Sequence, residues 1–332
     1  MASIMTNASA LTALQSLNAT QKNLDTTQAR ISTGYRVSQA SDNAAYWSIA
    51  TTMRSDNQAM STVSDALGLG ASKVDTAYTG MSSAIDTINQ IKVKLTASYG
   101  QTDADKAKTQ TEIAALQKQL KSYADGATFS GTNMLSVNSG TATAAADVKI
   151  VSAFNRDASG ASSISTIDVN VESTKLYEAG TTAGTAKGIL DADRLGSTGA
   201  ITTTAAAPTA GAASAAGDTY SVATLKVYDT TTGKGFSDSQ IADQMKVVDA
   251  ALKDMTNAAT TLGAAKSSID LQKTFTQSLM DSIDRGVGQL VDADMNKEST
   301  RLQALQVQQQ LGVQALSIAN GSSQSILSLF RG

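Results

Sequence analysis

The stretch that decides the fold is IADQMKVVDAALKDMTNAATTLGAAKSSIDLQKTFTQSLMDSIDRGVGQL, residues 241–290. Within it Ile241, Val248, Met255, Leu262, Ile269, Thr276, Ile283 and Leu290 recur every seven residues, and Met245, Leu252 and Ala259 supply a partner seam. A seven-residue repeat sustained over this length predicts long helices paired along a narrow apolar stripe. The register slips at 290–295, where Asp292 and Asp294 fall, which predicts a joint between two helical segments.

The same spacing continues outward. Upstream, Val74, Met81, Ile88 and Leu95 keep the step of seven, with Ala77, Ala84 and Ile91 three residues on, and Ile113, Leu116, Leu120 and Tyr123 follow steps of three and four. Near the start, Ile4, Leu11, Leu14, Leu17, Leu24 and Ile31 fall at steps of seven and three. Near the end come Met295, Leu302, Gln309, Leu316, Ser323 and Phe330, with Leu305, Gly312, Ala319 and Ile326 three residues on, and Leu329 just before Phe330. The fold class expected is mainly α, with long antiparallel helices in coiled-coil and bundle layers.

Both ends are uncharged. No Asp, Glu, Lys or Arg precedes Lys22, and none lies between Arg301 and Arg331. A helix on the outside of a monomer shows a charged face to water. A narrow apolar seam with a Gln/Ser/Thr remainder instead suits a helix surrounded by other helices in a tightly packed assembly. Residues 302–330 contain seven glutamines, too polar for a membrane span. Met1 to Gln21 lacks the basic and continuous apolar regions of a secretory signal peptide.

The middle differs. Leu195 to Gly217 carries no charge, holds the sole proline, Pro208, and is nearly all Ala, Thr, Gly and Ser, which predicts loop or linker. Around it Val148, Ile150, Ile164, Ile167, Val169 and Val171, then Tyr220, Val222, Leu225 and Val227, alternate in short runs, which predicts strands or hairpins in a small β-rich insertion.

Composition narrows the chemistry. The 332 residues include 54 alanines and neither histidine nor cysteine. That excludes disulfides, a thiolate nucleophile, a Ser-His triad and a Cys/His zinc site. A net charge of −3 gives no reason to expect nucleic acid. Asp103 and Asp105 read as the acidic first turn of a helix, and Asp292 with Asp294 is too sparse a set to hold a metal. With no catalytic constellation, neither an enzyme nor a cofactor is expected.

Two distant motifs carry a family resemblance. Arg30-Ile31-Ser32-Thr33-Gly34-Tyr35-Arg36-Val37, followed by Ser38 to Ala45 with Asp42 and Asn43, resembles the N-terminal signature of bacterial flagellins. Asp292-Ala293-Asp294, Gln309-Gln310, Gly312, Ala319-Asn320 and Leu327-Ser328-Leu329-Phe330-Arg331 resemble the C-terminal one. Phe129-Ser130-Gly131 and Asn133-Met134-Leu135 resemble the turn into the family's β-hairpin.

The resemblance implies a layered D0/D1 architecture: helices at 1–40 and 291–332 as an inner D0 coiled coil, 41–172 and 237–290 as the D1 rod, and 173–236 as a variable outer domain. It implies a subunit that polymerises with itself into the hollow extracellular filament of the flagellum. Export would proceed unfolded through the flagellar type III apparatus with a chaperone and no cleaved signal peptide, and contacts would form with hook–filament junction and cap proteins. Leu11, Leu14, Leu17, Leu24, Ile31, Leu302, Leu305, Leu316, Ala319, Ile326, Leu329 and Phe330 would then form the polymerisation interface. Arg30, Gly34, Arg36, Asp42 and Asn43 would be the motif contacts. Tyr46 and Trp47 follow that motif; the simpler expectation for them is core packing, the sharper one an aromatic contact between subunits. A hook–filament junction protein shares the terminal motifs, and a secreted adhesin using 173–236 is the alternative of another class.

Overall fold

The computed structural model describes residues 7–139, 144–157, 159–180 and 187–329, with the side chains of the last helix described as far as 322. Five helices carry the chain: α1 (Ala8–Thr33), α2 (Ala44–Ser98), α3 (Asp103–Gly126), α4 (Asp238–Val291) and α5 (Met295–Leu329). The lone proline falls outside all of them, so nothing interrupts the helical hydrogen-bond ladders. The chain divides into two compact units, Met1–Ala59 with Leu279–Gly332, and Met60–Ser278.

In the larger unit α2 and α4 run antiparallel. Lys92 pairs with Asp249 at 2.5 Å, Asp75 pairs with Lys266, and Gly263 lies against the Tyr78 ring. The heptads face inward: Val74, Ala77, Met81, Ala84, Ile88, Ile91 and Leu95 of α2 meet Val248, Met255, Leu262 and Ile269 of α4 in one core. Helix α3 adds Ile113, Leu120 and Ala124 and is held to α2 by Lys94–Glu112 at 2.6 Å. It starts where the acidic turn predicts, with Thr102 Oγ1 accepting from Asp105 N and donating to the Asp105 carboxylate. The expected partner seam is shifted: Gln244, Ala251 and Ala258 are the fully buried residues, while Met245, Leu252 and Ala259 are half-buried.

The β structure is small. β1 (Thr128–Phe129) and β2 (Thr132–Asn133) form a hairpin whose turn places Ser130 and Gly131 at φ 49° and 74°. β3 (Ser136–Val137) pairs in parallel with β6 (Tyr177–Glu178). β4 (Val148–Arg156) and β5 (Ser162–Val169) make the one long antiparallel pair among the described residues, with a register shift between Val151 and Ala153. β7 (Arg194–Leu195) pairs with β8 (Thr219–Tyr220), and β9 (Tyr228–Asp229) with β10 (Lys234–Gly235). The Tyr220–Val227 run, expected as a strand, breaks after Tyr220 into a 3-10 turn at Val222–Thr224.

The Leu195–Gly217 segment lacks long regular structure, as its composition predicts, yet it is not a free linker. Ala210 is buried with Phe236 and Ile241, Gln240 Nε2 donates to Thr209 O at 3.0 Å, and Ser214 Oγ bonds the Asp243 carboxylate. Small side chains let the backbone lie close to α4, and a carbonyl, a hydroxyl and one buried alanine attach it. Just before β6, Lys175, with no exposed surface, contacts Glu172 at 2.9 Å and Glu178 at 3.0 Å.

Candidate assembly surface

The terminal unit is built on α1 and α5. Asn7 caps α1, its Oδ1 accepting from Ala10 N at 3.0 Å, and its Nδ2 donates to Ala319 O at 2.9 Å. Farther along, Leu17 lies against Gly312, Gln309 Nε2 donates to Gln21 Oε1 at 2.8 Å, and Arg30 pairs with Glu298 at 3.3 Å. These rungs hold the helices antiparallel and in register. The α5 stripe is Glu298, Leu302, Leu305, Gln309, Gly312, Leu316 and Ala319, each buried or half-buried. It follows the spacing read from the sequence because a step of alternating three and four keeps one face toward a partner.

On α1 the inner face is Ala13, Leu17, Thr20, Leu24, Thr27 and Ile31. Leu11 and Leu14 are turned away and are 61% and 47% exposed. Alanine and threonine complete that seam, and the two leucines face away from it. Ile326 and Leu329 lie beyond the described side chains, and Ile4 and Phe330 beyond the described residues.

The opposite face of α5 carries a second stripe that the heptad reading missed. Val307, Leu311 and Ile318, spaced by four and seven, are exposed, Ile318 by 74%. Their spacing was visible in the sequence, but the stronger inner stripe masked it. The hairpin thus has one apolar seam closed within the chain and apolar side chains left open on other faces, with no charge to solvate them.

The joint between helices is tightly bonded. Gly34 ends α1 at φ 75°, ψ 0°, a left-handed geometry that favours glycine, and its N–H bonds Arg30 O at 2.9 Å. Arg36 N donates to Val291 O at 2.6 Å, and Ala293 N to Gly34 O at 2.9 Å, so the two inter-helix segments cross as a short antiparallel bridge. The Arg36 guanidinium donates to Leu290 O at 2.9 Å, where a cation suits the carbonyl end of α4. Asp42 accepts from Ser38 N, Gln39 N and Ser38 Oγ, and the two backbone donors, Ser38 first, hold its carboxyl below the usual range. Asn43 Oδ1 accepts from Tyr46 N at 3.1 Å at the start of α2. Asp294 Oδ1 does the same for α5, accepting from Asn296 N at 3.0 Å. Each motif residue therefore has work within its own chain. A small core of Val37, Ala50, Val287 and Val291 closes the joint.

Among the described residues no group of three or more carboxylates gathers as a metal site, and no helix is long and apolar enough to cross a membrane. In the larger unit a groove of about 470 Å³ runs between Ala205–Pro208 and Thr219–Lys226, and the buried Tyr220 hydroxyl and Gln244 Oε1 on its lining have no hydrogen-bond partner.

An antiparallel pair of terminal helices whose outer ends carry no charge, closed on one seam and apolar on others, defines a helical self-assembly subunit. Residues 4–143 match the model of the bacterial flagellin N-terminal helical region, and residues 245–330 match that of the C-terminal helical region. Flagellin C of Rhizobium meliloti (strain 1021) is 49% identical, flagellin of Brucella melitensis biotype 1 is 47% identical, and flagellin A of Rhizobium meliloti (strain 1021) is 44% identical, each alignment covering the whole of both chains. The chain belongs to the flagellin family. It is a structural subunit of the extracellular flagellar filament, and neither the junction-protein nor the adhesin alternative is favoured.

Proposed function

We propose that the terminal helices are the polymerisation interface, with 1–40 and 291–332 as the inner layer, 41–172 and 237–290 as the rod around it, and 173–236 as the variable outer domain. Leu17, Leu24, Ile31, Leu302, Leu305, Leu316 and Ala319 set the hairpin within each subunit. Leu11 and Leu14, together with Val307, Leu311 and Ile318, meet neighbouring copies, and Ile326, Leu329 and Phe330 extend the interface. The observation that carries this reading is the pair of exposed apolar faces on the charge-free parts of the hairpin, before Lys22 and after Arg301. The joint motif of Arg30, Gly34, Arg36, Asp42 and Asn43 fixes the angle at which the hairpin leaves α2 and α4. The same reading includes export through the flagellar type III apparatus with a chaperone, and contacts with junction and cap proteins; a chain without cysteine, and so without disulfides, suits export in an unfolded state.

Ile318→Asp tests the interface. The side chain is exposed in the subunit, so circular dichroism and subunit stability should stay within about 0.5 kcal/mol of the parent. In the filament the carboxylate would be desolvated without a partner, and sedimentable filaments should be lost. Ser317→Asp, off the stripe, should be milder, and equal filament yield from the two variants refutes the assignment. Leu316→Asp is a poorer test, because Leu316 also closes the hairpin onto α1.

A further inference from the structure

Asn320–Gly321 is the sole Asn–Gly pair in the chain, and it lies inside α5, within the charge-free stretch between Arg301 and Arg331. Asparagine followed by glycine is the pair most prone to cyclise. Glycine has no Cβ to crowd its own nitrogen, and its backbone reaches conformations closed to other residues. A regular helix opposes the reaction, because it commits the glycine N–H to a carbonyl one turn back and holds the main chain away from the geometry of attack. The fate of the pair therefore depends on how firmly α5 is held at this point.

The helix is weakly held there. Asn320, Gly321, Ser322 and Ser323 are successive poor helix formers. Asn320, Gly321 and Ser322 are all exposed. The Ala319 carbonyl, just before the pair, accepts from Asn7 Nδ2 at 2.9 Å and from Ser322 Oγ at 3.0 Å. A hydroxyl that bonds a carbonyl of its own helix competes with the backbone ladder.

We propose that Asn320–Gly321 is a self-modification site, shut by an ordered α5 in the filament and open in subunits left unassembled. The main-chain nitrogen of Gly321 attacks Cγ of Asn320. The new N–C bond closes a succinimide, the Cγ–Nδ2 bond breaks, and the displaced amide leaves as ammonia with the Gly321 amide proton. Water then opens the imide at either carbonyl, giving aspartate or isoaspartate. In total a water is consumed and an ammonia released, and no electrons are exchanged. Both products bring a carboxylate into the charge-free stretch. Isoaspartate also lengthens the main chain by a carbon, which breaks the helical ladder. A carboxylate enclosed by neighbouring subunits without a partner is disfavoured, so modified chains are excluded from growing filaments. That exclusion rests on the assembly reading above; the modification itself does not.

The full chain, aged at mildly alkaline pH as dilute subunits or as filaments, provides the test. Peptide mass spectrometry and isoaspartyl methyltransferase labelling should find aspartate and isoaspartate at position 320, accumulating several-fold faster in subunits than in filaments. Asn320→Gln and Gly321→Ala should each suppress the signal; a Cβ at 321 meets nothing within 4 Å among the described residues, so the second variant fits the subunit. When aged parent subunits are mixed with fresh ones and polymerised, modified chains should be several-fold enriched in the supernatant over the pellet. Asn320→Gln subunits aged in the same way should assemble as when fresh. Equal accumulation in subunits and filaments, or modification of other asparagines with none at 320, overturns the proposal. Modified chains that enter filaments as readily as unmodified ones overturn the exclusion. Absence of filaments from the fresh parent chain strikes the assembly reading instead, and the modification of subunits still stands or falls on its own measurement.

Discussion

The two units use one sequence pattern and reach different degrees of closure. In the Met60–Ser278 unit the heptads of α2 and α4 meet a third helix and an insertion, and Met81, Ile88, Leu95 and Leu262 have no exposed surface. In the terminal unit the α1–α5 seam has a single partner on each side, and its buried apolar residues among those described, Leu24 and Leu305, keep 5% and 7% of their surface exposed. A heptad reports that one face is covered. It is silent about the remaining faces, and there the residue types matter: charge on the outside of α2 and α4, none on α1 before Lys22 or on α5 after Arg301.

The largest expected contrast is in protection from proteolysis. Two helices sharing one seam bury little area against the entropy of ordering them. In dilute subunits residues 302–322 should be cleaved long before residues 74–95, whereas filaments should protect both. Equal protection of 302–322 in subunits and filaments would remove the distinction between the units.

Next in size is the buried cation of the larger unit. Lys175→Met leaves Glu178 buried without its ammonium partner and should cost about 3–5 kcal/mol. Burial alone would raise the Glu178 carboxyl; the Ser139 N–H and hydroxyl, the Lys175 ammonium and the Gly180 N–H together bring it down to about 2. A carboxyl depressed by folding adds stability that is present in full above its unfolded value near 4.5 and is lost as pH falls toward 2. Hydrogen exchange of peptides spanning 172–178 should therefore speed up through that window, and this part of the acid dependence should weaken in Lys175→Met. An unchanged acid profile in the variant would separate the pair from the stability of this region.

The smallest contrast is the most direct. Ile88→Ala, in the closed core, should lower stability to urea by about 2–5 kcal/mol. Val307→Ala, on the open face of α5, should change subunit stability by no more than about 0.5 kcal/mol while lowering filament yield. Similar losses of subunit stability would mean that the terminal faces are already closed in the free chain.

The helices and their joint were legible because periodicity and capping are local. Asn7, Gly34, Thr102 and Asp294 act on residues within one turn of themselves, and the slip near 290–295 coincides with the gap between Val291 and Met295. Leu11 and Leu14 share the spacing of the inner leucines, yet alanine and threonine fill the seam beside them, so spacing alone does not assign their face. For Trp47 the sequence left core packing and a contact between subunits both open, because an aromatic residue at a helix start suits either and spacing does not separate the two; its 39% exposure speaks against the core. Lys175 gave no signal, since its partners Glu172 and Glu178 look like an ordinary exposed i, i+3 pattern.

From the sequence alone came the helical class, the heptad registers, the absence of cysteine and histidine chemistry, and uncharged ends unsuited to water. All of these depend on residue type and on spacing within a helix. Tertiary structure decided the rest: that Leu305 is enclosed while Leu311 is open, that Leu195–Gly217 is bonded onto α4, and that Lys175 is shielded between two carboxylates. Such outcomes depend on which distant segments arrive at a residue, and burial and desolvation are properties of that arrangement rather than of the residue itself.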